Sequence, residues 1–305
     1  MTVRLRLGIS YEGTDFSGWA KQPGKRSVEG NLEEAFSQVL RLTPSPRVVC
    51  AGRTDAGVHA TGQVAHVDVP LDALLRMAHS RVEKDALRRI QAEDGPGAGS
   101  LPTAVTEALW RRLNGFLGRN VDLVITHLEV APDGFDARFS ALARRYEYRM
   151  ADGLENVDPR LRRITTFHFY PLDVEKMNEV ADMMLGLRDF GALCRPRPGA
   201  TTIRELQEFS WHRDENNILI ARLQADAFCH SMVRSLVGAC VAAGKKKGAS
   251  LDEIGRLRDA AERTAVFKVM PAHGLTLTEV IYPPDSEVGA RAELTRNRRE
   301  LTEND

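Results

Sequence analysis

Long apolar runs are missing from this 305-residue chain, and so is any excess of charge. No stretch approaches the ~20 consecutive apolar residues that a membrane span needs. The N-terminal Met1-Thr2-Val3-Arg4-Leu5-Arg6 lacks the apolar core of a signal peptide. Cysteine is scarce: only Cys50, Cys194, Cys229 and Cys240 are present, and no pair has C-x-x-C spacing. That argues against a zinc frame or a disulfide-stapled small fold. It predicts reduced core or near-core thiols in a cytoplasmic protein with no membrane association. Lys and Arg total 42 and Asp and Glu total 42, so global charge does not advertise a nucleic-acid partner. Local charge does more. Arg160, Arg162 and Arg163 lie in a stretch without acids, as do Arg195, Arg197 and Arg204, and Arg234 with Lys245-Lys246-Lys247. A neutral protein with such stretches is able to neutralise phosphates on one face, although scattered solvated charge accounts for each stretch taken singly.

Hydrophobic periodicity orders the chain. Val3, Leu5, Leu7 and Ile9 alternate with polar residues as in a strand, and Leu32, Ala35, Phe36, Val39 and Leu40 follow helical spacing after a capping Ser27. Strands near 46–51 and 62–69, a helix over 104–117 and a strand over 121–130 complete β-α-β-β-α-β, the split βαβ order of a ferredoxin-like unit. The order recurs. A strand at Tyr146 and Tyr148 is followed by a helix near 173–186 and strands near 203–212 and 217–226. Helices near 228–243 and 251–262 and a last strand near 274–282 follow. The expectation is an α+β protein of two ferredoxin-like βαββαβ halves, residues 1–140 and 141–285. Their mixed, mainly antiparallel sheet would carry a central catalytic cleft, a usual location for a site. Residues 71–104 form a charged insert. Its first part, to Ile90, suits an amphipathic helix, and 91–100 suits a flexible linker. Residues 286–305 are almost entirely polar and predict a frayed tail.

Three constellations carry chemistry. The first is Ala51-Gly52-Arg53-Thr54-Asp55-Ala56-Gly57-Val58-His59-Ala60-Thr61, set between apolar Val48-Val49-Cys50 and an alternating run from Gln63 to Val69. It reads as strand, tight glycine loop, strand, with the Asp55 carboxylate beside the Arg53 guanidinium. Such a carboxylate serves as nucleophile or base, or it merely caps the turn. The second is Phe228 to Gly238, apolar nearly all round a helical wheel, so that Arg234 falls in the interior. A buried guanidinium keeps its charge and needs a partner. Asp55, another acid, or an escape to solvent each answers that need. The third is Phe139 to Tyr148, with two arginines and two tyrosines on a strand. Tyr146 there could stack on a nucleobase, or both tyrosines could be core.

These blocks resemble the tRNA pseudouridine synthase A family. Ala51 to Ala60 is similar to its signature. Ala137-Arg138-Phe139-Ser140 through Arg144-Arg145-Tyr146 resembles its second motif, and Phe228 to Gly238 its third. Ala272-His273-Gly274-Leu275-Thr276-Leu277 with Val280 and Tyr282-Pro283 resembles its last strand. Tyr11-Glu12-Gly13-Thr14 with Phe16-Ser17-Gly18-Trp19 resembles its first strand and loop. The match runs in order over residues 3 to 284. The resemblance implies an isomerase that converts uridine to pseudouridine at positions 38 to 40 of the tRNA anticodon arm, acting as a homodimer without metal or organic cofactor. It implies Asp55 as the catalytic residue, Tyr146 packed on the target base and Arg234 paired with Asp55. Arg53 would hold the flipped nucleotide or the vacated stack, and Leu275 would line the uracil pocket. Two features depart from the family pattern. The 71–104 insert is long, and Asn114-Gly115-Phe116-Leu117-Gly118 stands where many members read Asn-x-x-Leu-Pro. Two other readings are a non-catalytic RNA-binding or RNA-chaperone protein on the same scaffold, and a metal-dependent hydrolase using Asp55, His59 and His66.

Overall fold

The alternation at the N-terminus produces strand β1, Thr2–Tyr11, whose Val3, Leu5, Leu7 and Ile9 are buried. The structure, a computed structural model, describes residues 1–78, 84–85, 87–88, 101–118, 121–195, 201–260 and 264–300, the last four by backbone alone. Residues 91–100, expected as a linker, lie outside that set. The chain divides into two units, Met1–Leu142 with Val280–Asp305, and Ala143–Glu279. Among the described residues no helix is long and apolar enough to cross a membrane.

In the first unit β1 leads to α1 (Val28–Leu40), and the Ser27 side chain accepts from the Gly30 N–H as the sequence predicts for a cap. Then come β2 (Val48–Cys50), β3 (His59–Pro70), α2 (Leu71–Met77), α3 (Thr103–Leu117) and β4 (Leu123–Val130). The strands lie in the order β4-β1-β3-β2, every neighbour antiparallel. That is the ferredoxin-like order expected from β-α-β-β-α-β. Helix α1 lays Leu32, Ala35 and Phe36 into the core and α3 adds Leu109 and Leu113. The Asn114 side chain of α3 both donates to the Ile125 carbonyl and accepts from the Ile125 N–H, each at 2.9 Å, and so stitches that helix to β4.

The second unit repeats the plan. It contains β5 (Ala143–Asp152), β6 (Thr166–His168), α4 (Val174–Met184), β7 (Gly186–Asp189), β8 (Ile203–Arg213), β9 (Leu219–Ala225), α5 (Met232–Gly244), α6 (Leu251–Asp259) and β10 (Leu275–Ile281). Strands β10-β5-β9-β8 again follow the ferredoxin-like order, with β7 added outside β8 and β6 paired in parallel with β5. The α+β class expected from the sequence is present in each unit. At the end of β5, fully buried Asp152 takes a two-pronged pair from Arg213, at 2.7 and 2.8 Å, and accepts from the Leu172 N–H at 2.7 Å. Burial pushes the Asp152 carboxyl up. The Arg213 fork and the Leu172 N–H outweigh it and hold the group below the usual carboxylate range.

Two expectations meet a different outcome. The stretch from 286, expected to fray, contains α7 (Val288–Glu300). Val288 joins a buried cluster with Ala131, Phe135 and Ala137, Ala292 is buried one turn on, and Arg296 pairs with Asp136 at 2.9 Å. Two apolar contacts in a charged stretch leave too little periodicity to read as a helix. The second concerns the thiols. Cys50 and Cys240 are free and buried, and burial pushes each up to about 12, as unreactive core thiols require. Cys194 and Cys229, however, are joined as a disulfide with Cα atoms 5.7 Å apart. Their separation of 35 residues carries no spacing signal. The pairing arises because the turn before Cys194 and the segment before α5 run side by side, with the Arg195 N–H donating to the His230 carbonyl at 2.9 Å.

The fold makes His66 a probe of pH. Its Nδ1 accepts from the Ala137 N–H at 3.0 Å, which requires the neutral ring. Burial first, then the nearby Arg4 charge, pushes the imidazole below its ordinary 6.5. The unfolded chain therefore binds the proton more readily. The stability this contributes is present above pH 6.5 and is lost as pH falls below it, with a slope of at most about 1.4 kcal/mol per pH unit. Denaturant titrations from pH 8 to pH 5 should show that loss in the wild type, and a shallower one in His66→Gln, which accepts without titrating. Equal slopes would mean that other groups dominate.

Candidate active site

Strand β3 outruns β2, and this excess shapes the loop that carries Asp55. Strand β2 pairs with β3 only from Val48 opposite Val67 to Cys50 opposite Ala65. The N-terminal part of β3 pairs instead with β1, which places Ala60 opposite Tyr11. Residues 51–58 thus close over the end of β1 and over the segment that follows it. The Trp19 N–H donates to the Thr54 carbonyl at 3.0 Å, and the Gly57 N–H to the Phe16 carbonyl at 3.4 Å. Tyr11 and Thr54 share a hydroxyl hydrogen bond at 2.8 Å. Fully buried Gln63 donates to the Gly52 carbonyl at 2.8 Å and reaches the Tyr11 hydroxyl at 3.4 Å. Inside the loop the Val58 N–H donates to the Asp55 carbonyl at 3.2 Å, and Gly57 takes a φ of 79°, a left-handed conformation that favours glycine.

Two glycines of the 11–19 segment permit this approach. A Cβ on Gly13 would lie 2.0 Å from the Val58 carbonyl oxygen. One on Gly18, at φ 89°, would lie 2.9 Å from the Thr54 oxygen. Tyr11, Phe16 and Trp19 are buried beneath, the Tyr11 ring 6.3 Å from each of the other two. The result is an alternation along the loop. Thr54 and Val58 are buried, Asp55 is half-buried, and Arg53 and Ala56 are exposed. A half-buried carboxylate on a braced backbone is positioned for chemistry and partly shielded from water.

His59 and His66 take structural work. The Gly13 N–H donates to His59 Nδ1 at 2.8 Å, with a Glu12 carboxylate oxygen 3.4 Å from the same nitrogen, and His66 Nδ1 serves Ala137. Among the described residues no group of three or more His, Cys, Asp or Glu is arranged to hold a metal. Asp55, His59 and His66, the ligands of the hydrolase reading, are therefore not grouped as a metal site.

The remaining expected residues lie in the second unit. Tyr146, on β5 opposite Leu223, is nearly buried, with its ring edge-on to Phe228 at 5.1 Å and 84°. Leu275 opens β10 and is buried. Arg234 lies in the first turn of α5, half-buried rather than interior. Its Nε donates to the Met270 carbonyl at 2.5 Å, and its own carbonyl accepts from the Met270 N–H at 3.1 Å. A backbone oxygen thus serves one N–H of this side chain, a partner that the helical wheel does not suggest. The helix comes this close because Gly238 leaves room, since a Cβ there would lie 1.9 Å from the Lys268 oxygen. Gly274 does the same beside β5, where a Cβ would meet the Tyr148 ring at 2.8 Å. The Tyr148 hydroxyl donates to the Pro271 carbonyl at 3.0 Å, so of the two tyrosines Tyr148 is the core residue. Helix α5 starts at Met232, later than the expected 228, because Ser231 sits at φ 66°. That left-handed residue ends the regular backbone of the Phe228 segment and sets it apart as a loop.

Sequence reasoning misses Gln63 and the Tyr11–Thr54 hydroxyl pair. A polar residue inside an alternating strand gives no sign that it turns inward, although Gly13 and Gly18 mark the close approach.

Comparison with known proteins fits these blocks. A family model described as tRNA pseudouridine synthase matches residues 180–283. A protein of Leifsonia xyli subsp. xyli named tRNA pseudouridine synthase A is 52% identical over 302 residues, covering 98% of both chains. Proteins of the same name from Frankia casuarinae and Mycobacterium leprae are each 47% identical. They cover 96% and 97% of this chain, and 94% and 96% of their own lengths. The protein is thereby placed among the pseudouridine synthases, a class of isomerases. The chain belongs to the tRNA pseudouridine synthase A family.

The loop geometry makes a specific demand on Gly13. In Gly13→Ala the new methyl must push the Val58 carbonyl away, and Asp55 shifts with the loop. We expect pseudouridine formation to fall about a hundredfold, the scale of an ångström-sized misplacement. Gly115→Ala, a helical glycine with open space around its Cβ, should stay within a few-fold of wild type. Initial rates on a tRNA transcript, with circular dichroism to verify folding, measure both. Unaltered activity in Gly13→Ala would show that the loop tolerates displacement.

Proposed function

We propose that this enzyme isomerises uridine to pseudouridine at positions 38 to 40 of the tRNA anticodon arm, with Asp55 as the catalytic nucleophile or base. The observation that carries the reading is the half-buried Asp55 on its braced loop, within a chain about half identical to named tRNA pseudouridine synthases over nearly its whole length. The uracil leaves through its C–N glycosidic bond, turns, and reattaches through carbon. Nothing is oxidised or reduced, so these residues need supply only position, charge and shape. An ionised Asp55 either attacks the sugar carbon or takes a proton from the sugar, and each route ends in cleavage of the C–N bond.

A target base within a stem must first leave its stack, at a cost of about a few kcal/mol. Exposed Arg53 is suited to hold the flipped nucleotide or the gap it leaves. Tyr146, whose ring is set by Phe228, packs on the base, and Leu275 lines the uracil pocket. We read Arg234, whose Nε donates to the Met270 carbonyl, as the counter-charge of Asp55 that the family resemblance implies. Exposed Arg195 and Lys245–Lys247 suit phosphate contacts, which would make binding fall steeply with salt. We read the working species as a cytoplasmic homodimer in which one tRNA touches both subunits.

The test uses tRNA transcripts labelled with tritium at uracil C5, which is released when the ring reattaches through that carbon. Asp55→Asn should bind tRNA with near wild-type affinity and release no tritium above background. Arg234→Leu should lose activity and also some stability, because half-buried Asp55 is left without its counter-charge, at a cost below the about 3–5 kcal/mol of a fully buried pair. The double variant should regain part of the stability and none of the activity. Tritium release by Asp55→Asn would remove Asp55 from the mechanism. Simple additivity of the stability losses would separate Arg234 from Asp55.

A further inference from the structure

We propose that Cys194 and Cys229 form a reversible thiol–disulfide modification site that sets how firmly the Phe228 segment is held for tRNA, an inference that rests on the proposed role of Tyr146 and Arg234. The pair is built into the fold. The Cα separation of 5.7 Å lies within the range that a disulfide bridges without backbone movement. The adjoining Arg195 N–H donates to the His230 carbonyl at 2.9 Å, so a backbone hydrogen bond joins the two segments beside the sulfurs. The other two thiols are isolated in the core and unreactive.

The position is what gives the bond a consequence. Cys229 lies between Phe228, which holds the Tyr146 ring edge-on, and the left-handed Ser231 that starts α5. The Met232 N–H donates to the Cys229 carbonyl at 3.0 Å, and Arg234 follows two residues on. Cys194 is buried just after a 3-10 turn, Gly191–Leu193. The bond therefore ties the segment between β9 and α5 to a second loop across 35 residues of chain. Without it the Phe228 segment keeps its fold but explores more conformations, and tRNA must order it on binding.

Chemical access is asymmetric. Cys229 is half-buried and flanked by His230, while Cys194 is 1% exposed. A small hydroperoxide suits the site. The Cys229 thiolate attacks one peroxide oxygen and the O–O bond breaks, leaving a sulfenic acid on Cys229 and an alcohol or water. The Cys194 thiol then attacks the Cys229 sulfur, the S–O bond breaks, and the hydroxide leaves with the Cys194 proton as water. Two thiols have given two electrons to the peroxide, and the S–S bond has formed. A small dithiol returns both thiols and is itself oxidised to its disulfide. In a compartment held reducing by thiols such a bond is a switch rather than a permanent brace.

The experiment compares full-length protein treated with hydrogen peroxide and then desalted with protein kept in dithiothreitol. Alkylation under denaturing conditions and intact mass count the thiols. Two fewer labels, mapped to Cys194 and Cys229, are expected after oxidation. On tRNA transcript the oxidised form should show a KM several-fold lower than the reduced form, with kcat nearly unchanged. Cys229→Ser and, independently, Cys194→Ser should behave as the reduced form under both treatments. Equal label counts, or equal KM in the two redox states of the wild type, would overturn the proposal, as would a redox response that survives in either variant. The label count involves no tRNA. A chain that forms the disulfide yet isomerises no transcript would point instead to failure of the proposed function.

Discussion

One backbone-on-backbone contact braces the loop that carries Asp55: the 11–19 segment lying against residues 51–58. Its hydrogen bonds run from Trp19 to Thr54 and from Gly57 to Phe16, and the Gly13 and Gly18 positions leave no space for a side chain. Buried Tyr11, Phe16 and Trp19 stiffen the support from below, and Gln63 closes it from β3. Each feature exists because a short loop cannot hold a carboxylate in one place by itself. Ordering its residues costs about 1–2 kcal/mol apiece in backbone entropy. The neighbouring segment offsets that cost in advance, so that Asp55 stays half-buried without local collapse.

The second unit solves a similar problem by helix approach. Gly238 lets α5 touch the 268–270 backbone, which fixes Arg234 at its Nε, and Gly274 lets the start of β10 meet the Tyr148 ring. Tyr148 is thereby committed to the core, and Tyr146, two residues earlier on the same face of β5, is set against Phe228. In both units glycine marks where two backbones meet: Gly13 and Gly18 lie against the Asp55 loop, and Gly238 stands four residues after Arg234.

Much of this was legible in the sequence. Alternation and helical spacing yield both β-α-β-β-α-β units, and the glycine loop of Asp55 stands between the strands where it was placed. The family follows from five short blocks. What escaped was long-range or weakly patterned. Helix α7 rests on Val288 and Ala292 alone, too few apolar positions to show a period. The Cys194–Cys229 bond depends on two segments meeting, which no spacing announces. Arg234 finds a backbone carbonyl, a partner with no side-chain identity in the sequence. The start of α5 shifts because Ser231 adopts a left-handed conformation that residue type alone does not foretell.

The central claim is that the Asp55 loop converts uridine to pseudouridine at one short stretch of tRNA. The most direct measurement is single-nucleotide mapping of pseudouridine by carbodiimide modification and primer extension, on unmodified tRNA incubated with purified wild-type protein and no added metal or cofactor. The account predicts stops at position 38, 39 or 40 wherever a uridine stands there, and nowhere else. Absence of product, or product confined to other arms of the tRNA, would contradict it.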